Sequence, residues 1–139
     1  MKLRKIKICN LKYEELNDVF VLPKMDKIGK WKKRAYDKRT IGERVEKAFM
    51  DGQDELIYNL DDCVTIKIMK GGNTELEYWI NQRDSIRDGI ETLNIIDFTV
   101  LLYQLYPKGN IELDGFNEEE KKFIDKKRII VKLTNAKVR

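Results

Sequence analysis

The stretch Val64-Thr-Ile-Lys-Ile-Met-Lys-Gly-Gly-Asn-Thr-Glu-Leu-Glu-Tyr-Trp-Ile80 decides the fold class. Two runs with period-2 alternation flank Gly71, Gly72 and Asn73, residues that supply the positive φ of a tight turn. The pattern predicts a β-hairpin over 64–80. A two-residue loop would set Ile68 against Glu75 and Lys67 against Leu76. A three-residue loop, Gly71 to Asn73, sets Ile68 against Leu76, Ile66 against Tyr78 and Val64 against Ile80, with Lys67 facing Glu77. A slip of one residue exchanges a strand's faces, so this consistency favours the three-residue loop. One face is then Val64, Ile66, Ile68, Leu76, Tyr78 and Ile80. The other carries Thr65, Lys67, Met69, Glu75, Glu77 and Trp79. A clean alternation of this kind belongs to an antiparallel sheet with one wet face.

Outward from the hairpin, 2–11 alternates Ile6 and Ile8 with Lys5 and Lys7 and is predicted as a strand. Residues 13–22 fit either a helix face (Leu16, Val19, Phe20) or a short strand from Val19 to Leu22, ended by Pro23. Thr40 and Glu43 have capping-box spacing, and Ile41, Val45, Ala48, Leu56 and Leu60 keep one helical face. A helix is therefore expected over about 40–60, with Gly52 as a possible break. A second helix is expected over about 84–106, opened by Asp84, with a further break at Asp97. Asn117 and Glu120 cap a short C-terminal helix, and Ile129, Val131 and Leu133 alternate as a closing strand. Ile111 to Leu113 is a short strand. The sum is a single-domain α+β fold: a mostly antiparallel sheet of four to five strands packed on two main helices, plus the short C-terminal helix.

The chain has 139 residues, 42% of them hydrophobic, enough for one cored domain. It has two cysteines, no histidine and a formal net charge of +4. Cys9 and Cys63 form no CxxC and are expected as free thiols in a reducing compartment. The amino-terminal lysines precede no apolar run, so no signal peptide is expected, and the apolar run 95–106 is too short and polar to span a bilayer. A cytoplasmic protein without membrane contact follows. The excess of lysine over arginine, with abundant isoleucine, suits translation from an AT-rich genome such as a low-GC bacterium or its phages.

Charge is unevenly placed. Residues 24–47 hold ten Lys/Arg against four Asp/Glu, a local net of +6, so the remainder carries −2. Density peaks at Lys30, Lys32, Lys33, Arg34, Lys38 and Arg39, with Trp31 and Tyr36 between them. Over 24–39 apolar periodicity is almost absent, and a long loop or partly helical excursion is expected. Lysines neutralise phosphates and release counterions, and aromatic rings stack on unpaired bases. These eight residues are the candidate nucleic-acid contacts, for RNA or single-stranded DNA or a nucleoprotein. The plainer alternative is a solvated loop whose Trp31 and Tyr36 tuck into the core. A lysine-dominated patch reads backbone rather than base edges. The cluster Lys121, Lys122, Lys126, Lys127 and Arg128 could extend the patch, although complementing a helix dipole accounts for most of it.

Met69 and Trp79 on the wet face are the candidate protein-interface residues, for a partner protein or a homodimer. An acidic partner for the basic loop is the other route to a protein-binding adaptor or inhibitor of the kind phages and mobile elements encode. Catalysis is not expected: with no histidine, neither cysteine has the usual activating base. No P-loop, GxGxxG or D…ExK pattern is present. Asp61, Asp62 and Asp114 lack a third ligand at a metal-binding spacing, and Asp97 is better explained as a cap than as a buried acid or base. No cofactor or metal is expected.

Overall fold

The computed structural model describes residues 3–25, 31–61, 63–81 and 95–138, and side chains within them outside 3, 24–25, 31–34, 61, 81 and 131–138. Its elements in chain order are β1 (Leu3–Lys12), a 3-10 turn (Tyr13–Glu15), β2 (Val19–Met25), β3 (Trp31–Asp37), α1 (Arg39–Met50), β4 (Glu55–Asp61), β5 (Val64–Met69), β6 (Asn73–Asn81), α2 (Ile95–Leu105), β7 (Asn110–Asp114) and α3 (Glu118–Val138). Five strands form one antiparallel sheet in the order β4-β5-β6-β1-β7, and β2 and β3 form a separate two-stranded sheet. The α+β expectation holds.

The hairpin 64–80 forms with both predicted faces intact, but its register is two residues away. Ile66 faces Leu76, Val64 faces Tyr78, and Ile68 faces Thr74. Gly71 and Gly72 both take positive φ (99° and 94°), so they form the turn with Lys70, and Asn73 starts β6. The N–H of Gly72 donates to the Met69 carbonyl at 2.9 Å. Thr74 can sit in the core opposite Ile68 because its hydroxyl donates to the Gly72 carbonyl at 2.9 Å. Matching apolar with apolar had excluded that pair; a satisfied hydroxyl permits it.

The first helix is shorter than expected. It ends at Met50 in a Schellman arrangement: Gln53 N–H donates to the Ala48 carbonyl (3.0 Å) and Gly52 N–H to Phe49 (3.1 Å), with Gly52 at φ 82°. Residues 55–61 are then a strand rather than helix. Leu56 and Leu60 lie four apart, a spacing that both a helix face and a strand face satisfy, and Tyr58 between them fits only the strand. The Thr40–Glu43 box is not used. Lys38 occupies the cap position, and the Asp37 carboxylate accepts the Arg39 N–H at 2.9 Å instead.

The Asn117–Glu120 box does form, with Glu120 N–H donating to Asn117 Oδ1 (2.7 Å) and Asn117 N–H to Glu120 Oε1 (3.0 Å). The helix it opens is not short. α3 runs 21 residues to Val138, and the expected closing strand at 129–133 is helical. No glycine or proline interrupts 118–138, so the local alternation of Ile129, Val131 and Leu133 is overridden. The predicted helix over 84–106 is described from Ile95 onward; Asp84 and its surroundings lie outside the described residues.

α2 covers the apolar face of the sheet. Phe98 meets Tyr78 edge to face at 5.4 Å between ring centroids, and Ile95, Ile96, Thr99, Val100 and Leu102 are buried with it. Asp97 is neither a buried acid nor the cap. It stands in the first turn of α2, exposed, with Lys127 of α3 at 2.5 Å. One charged pair is fully inside: Arg4 of β1 and Glu120 of α3 are ion-paired at 6% and 3% exposure, with the guanidinium 5.5 Å from the Phe116 ring.

Candidate nucleic-acid interface

Residues 31–37 of the basic stretch are a strand rather than a loop or partly helical excursion. They are β3, the second strand of a β-ribbon, while residues 26–30 lie outside the described residues. β2 and β3 pair in continuous antiparallel register from Val19 opposite Asp37 to Met25 opposite Trp31. The apolar positions of β3 were too sparse to reveal a strand. β2 supplies what they lack: Phe20 and Leu22 are fully buried, and Tyr36 lies against Phe20 with ring centroids 6.4 Å apart. At the base, Lys38 N–H donates to the Asp18 carbonyl at 2.8 Å. Further along, the Cys63 thiol donates to the Pro23 carbonyl at 3.4 Å, which ties the ribbon to the main sheet.

The eight candidate residues are differently placed. Lys38 is committed to the fold. Its ammonium donates to the carbonyls of Tyr13 (2.6 Å) and Leu16 (3.3 Å) and stands 4.4 Å from the Tyr13 ring centroid. Arg39 is exposed and forks onto Asp37, with Nη2 at 2.7 Å and Nε at 3.1 Å. Hydrogen bonding from Arg39 holds the Asp37 carboxyl below its usual range. Tyr36 is half-buried in its stack. Trp31, Lys32, Lys33 and Arg34 occupy successive positions of β3, and Lys30 lies outside the described residues.

Register aligns the remaining cations but divides them between two faces: by strand alternation Lys24, Lys32 and Arg34 share the face of Phe20 and Leu22, and Lys33 takes the other. Arg34 is opposite Leu22, Lys33 opposite Pro23, and Lys32 opposite Lys24. Four cations therefore occupy three consecutive rungs, and one rung sets lysine against lysine. Like charges directly opposite oppose strand pairing.

The protein-interface candidates are separated rather than joined. Trp79 is 37% exposed, with Lys5 Nζ 4.8 Å from its ring centroid. Its N–H donates to the Cys63 carbonyl, and Met69 lies six residues further along β5, about 20 Å away at strand rise. Between them the open face carries a charge ladder: Lys5–Glu77 (3.7 Å), Lys7–Glu75 (3.8 Å) and Lys67–Glu55 (3.6 Å). β7 adds Glu112 opposite Lys7 and Asp114 opposite Lys5. Sequence reasoning missed this acidic margin, because the pairing of β7 with β1 spans the chain.

Three of the five C-terminal cations are engaged within the helices. Lys121 pairs with Glu118 (3.7 Å), Arg128 pairs with Asp125 (3.6 Å) and lies 3.6 Å from the Tyr103 ring centroid, and Lys127 pairs with Asp97. The cluster does not end α3, which runs on to Val138, so the dipole explanation fails, and ion pairing accounts for Lys121, Lys127 and Arg128 instead. Among the described residues no cluster of three or more Asp, Glu, Cys or His side chains could hold a metal ion, and no helix is long and apolar enough to cross a membrane. Both cysteines are free thiols; burial, then Glu75, pushes the Cys9 thiol up. Comparison with protein-family models, with curated proteins and with solved structures gave no match.

Proposed function

We propose that this chain is a small non-enzymatic cytoplasmic protein that binds nucleic acid, RNA or single-stranded DNA, through the β2–β3 ribbon. The observation that carries this is the run of three rungs holding Lys24, Lys32, Lys33 and Arg34, with Lys24 directly opposite Lys32. Phosphates spaced along a backbone would offset that repulsion and release counterions. Three of the four cations are lysines, which act as point charges and give little base preference. Tyr36 is already stacked on Phe20, which leaves Trp31 as the aromatic for base stacking in this stretch. The alternative reading, an adaptor or inhibitor of phage or mobile-element type acting through protein contacts or a homodimer, draws on Trp79, exposed on a sheet face that carries charge.

The first test is absorbance at 260 and 280 nm for purified protein before and after a high-salt wash, followed by gel shift of a labelled single-stranded oligonucleotide with heparin as competitor. Nucleic acid that leaves at high salt, and a shift abolished by heparin, support the ribbon. Clean protein that ignores the oligonucleotide at low salt refutes it.

A further inference from the structure

Between the end of β1 and the turn after α2 lies a cleft of about 470 Å³. Small-ligand sites run from roughly 300 to 1,000 Å³. The cleft exists because β1 is irregular at this point. Its pairing with β6 slips between Ile8 and Leu11, and Asn10 takes φ 61°, the one positive φ of a non-glycine residue among those described. β7 follows β1 only as far as Cys9 opposite Asn110. Past that rung the two walls part. Asn10, Leu11, Lys12, Glu15 and Leu16 form one, and Leu105, Tyr106, Pro107 and Lys108 the other.

The apolar part is built from the core: Leu11, Leu16 and Tyr106 are 6%, 7% and 5% exposed. The polar part is at the surface. Lys12 and Lys108 are exposed, one from each wall, and neither has an ion pair with another described residue. Glu15 is the single carboxylate of the lining, so the lining carries a net +1. The bulge also serves the fold, since it releases the chain into the 3-10 turn where Tyr13 N–H meets the Gly72 carbonyl at 2.8 Å. Asparagine is among the few side chains that adopt the left-handed region readily, which suits Asn10 to the bulge, and bulges recur beside binding sites because they re-aim side chains.

We propose that this cleft binds a small amphipathic anion, an apolar body bearing one carboxylate. The body lies against Leu11, Leu16, Tyr106 and Pro107, and the carboxylate lies toward Lys12 and Lys108. A net lining charge of +1 suits a monoanion better than a phosphate diester or a dianion. The site shares no residue with the ribbon, so either assignment can fail without the other.

The test is an amide-resolved NMR titration with sodium octanoate below its micelle concentration, with octan-1-ol as the uncharged control. Saturable shifts confined to residues 10–16 and 105–108 are expected, with binding at least tenfold weaker for octanol and for the Lys12→Glu/Lys108→Glu variant. Both lysines are exposed, so that variant should stay folded. Leu16→Trp, which fills the cleft, should abolish binding if it folds; the lysine variant carries the test if it does not. Shifts elsewhere, no shifts at millimolar octanoate, or equal binding of octanol and octanoate would overturn the proposal.

Discussion

Removing the Glu120 carboxylate is the most informative perturbation of the fold. Arg4 and Glu120 come from residues 116 apart and are 6% and 3% exposed, so water screens neither. Truncating one partner of a buried pair leaves an uncompensated charge and typically costs about 3–5 kcal/mol. Glu120 also accepts the Asn117 N–H of the capping box, which adds about 1 kcal/mol. Glu120→Ala should therefore lose about 4–6 kcal/mol, a large share of the roughly 5–15 kcal/mol that holds a domain. Arg4→Met/Glu120→Leu removes both charges and keeps apolar volume beside Phe116. It should recover most of that loss, because replacing a whole buried pair is often neutral. The assay is urea unfolding followed by far-ultraviolet circular dichroism, read as midpoint and slope for both single variants and the double. A loss below about 1 kcal/mol for Glu120→Ala, or a double variant as unstable as the sum of the singles, would refute the pairing.

Three further outcomes follow from local geometry. A Cβ at Gly109 would sit 2.8 Å from Ile8 Cγ2 and 3.1 Å from Leu11 Cδ2, so Gly109→Ala should cost about 1–3 kcal/mol by thermal melt; no change would mean that the 107–109 turn is not seated on β1. Burial raises the Tyr106 phenol to about 12 and the Tyr78 phenol well above its ordinary 10. A phenol raised by folding gives stability that is intact below pH 10 and lost as pH climbs toward 12, up to roughly 3 kcal/mol for Tyr106. Absorbance at 295 nm should therefore show these two tyrosines missing from the first ionisation step; all six ionising together near pH 10 would contradict the packing. Lys38→Ala should lower the melting temperature, since its ammonium serves two carbonyls, whereas Lys32→Ala should leave it within a degree or two; the reverse order would undo the division of the basic residues.

What the sequence made legible was set by short-range chemistry. Alternation placed β1, the faces of the 64–80 hairpin and Ile111–Leu113, and side-chain chemistry placed the Asn117–Glu120 cap. What it hid depends on partners far along the chain. β3 has few apolar residues and becomes a strand only because β2 brings Phe20 and Leu22 to the core. The register shift turns on the hydroxyl of Thr74, a polar residue set opposite Ile68, which apolar-to-apolar matching does not announce. Leu56 and Leu60 satisfy two periods at once, and the Schellman stop at Gly52, with Tyr58 between the two leucines, separates strand from helix. The candidate site was legible as a cluster of cations, but not as three rungs, and the structural duties of Lys38 and Arg39 were invisible. The Asn10 bulge left no mark in composition or spacing.

The most direct measurement of the nucleic-acid proposal is the salt dependence of oligonucleotide affinity by fluorescence anisotropy, compared between the native chain and the Lys32→Ala/Lys33→Ala/Arg34→Ala variant. For single strands the slope of log K against log salt is about −0.7 per phosphate neutralised. The three cations that share one ribbon face, Lys24, Lys32 and Arg34, predict a slope near −2.1, a loss of about twenty-fold between 50 and 200 mM salt. The variant, left with Lys24, should fall to a slope near −0.7 and an unchanged melting temperature. A native slope near zero, or a steep slope that the variant retains, would contradict the assignment of phosphate binding to the ribbon.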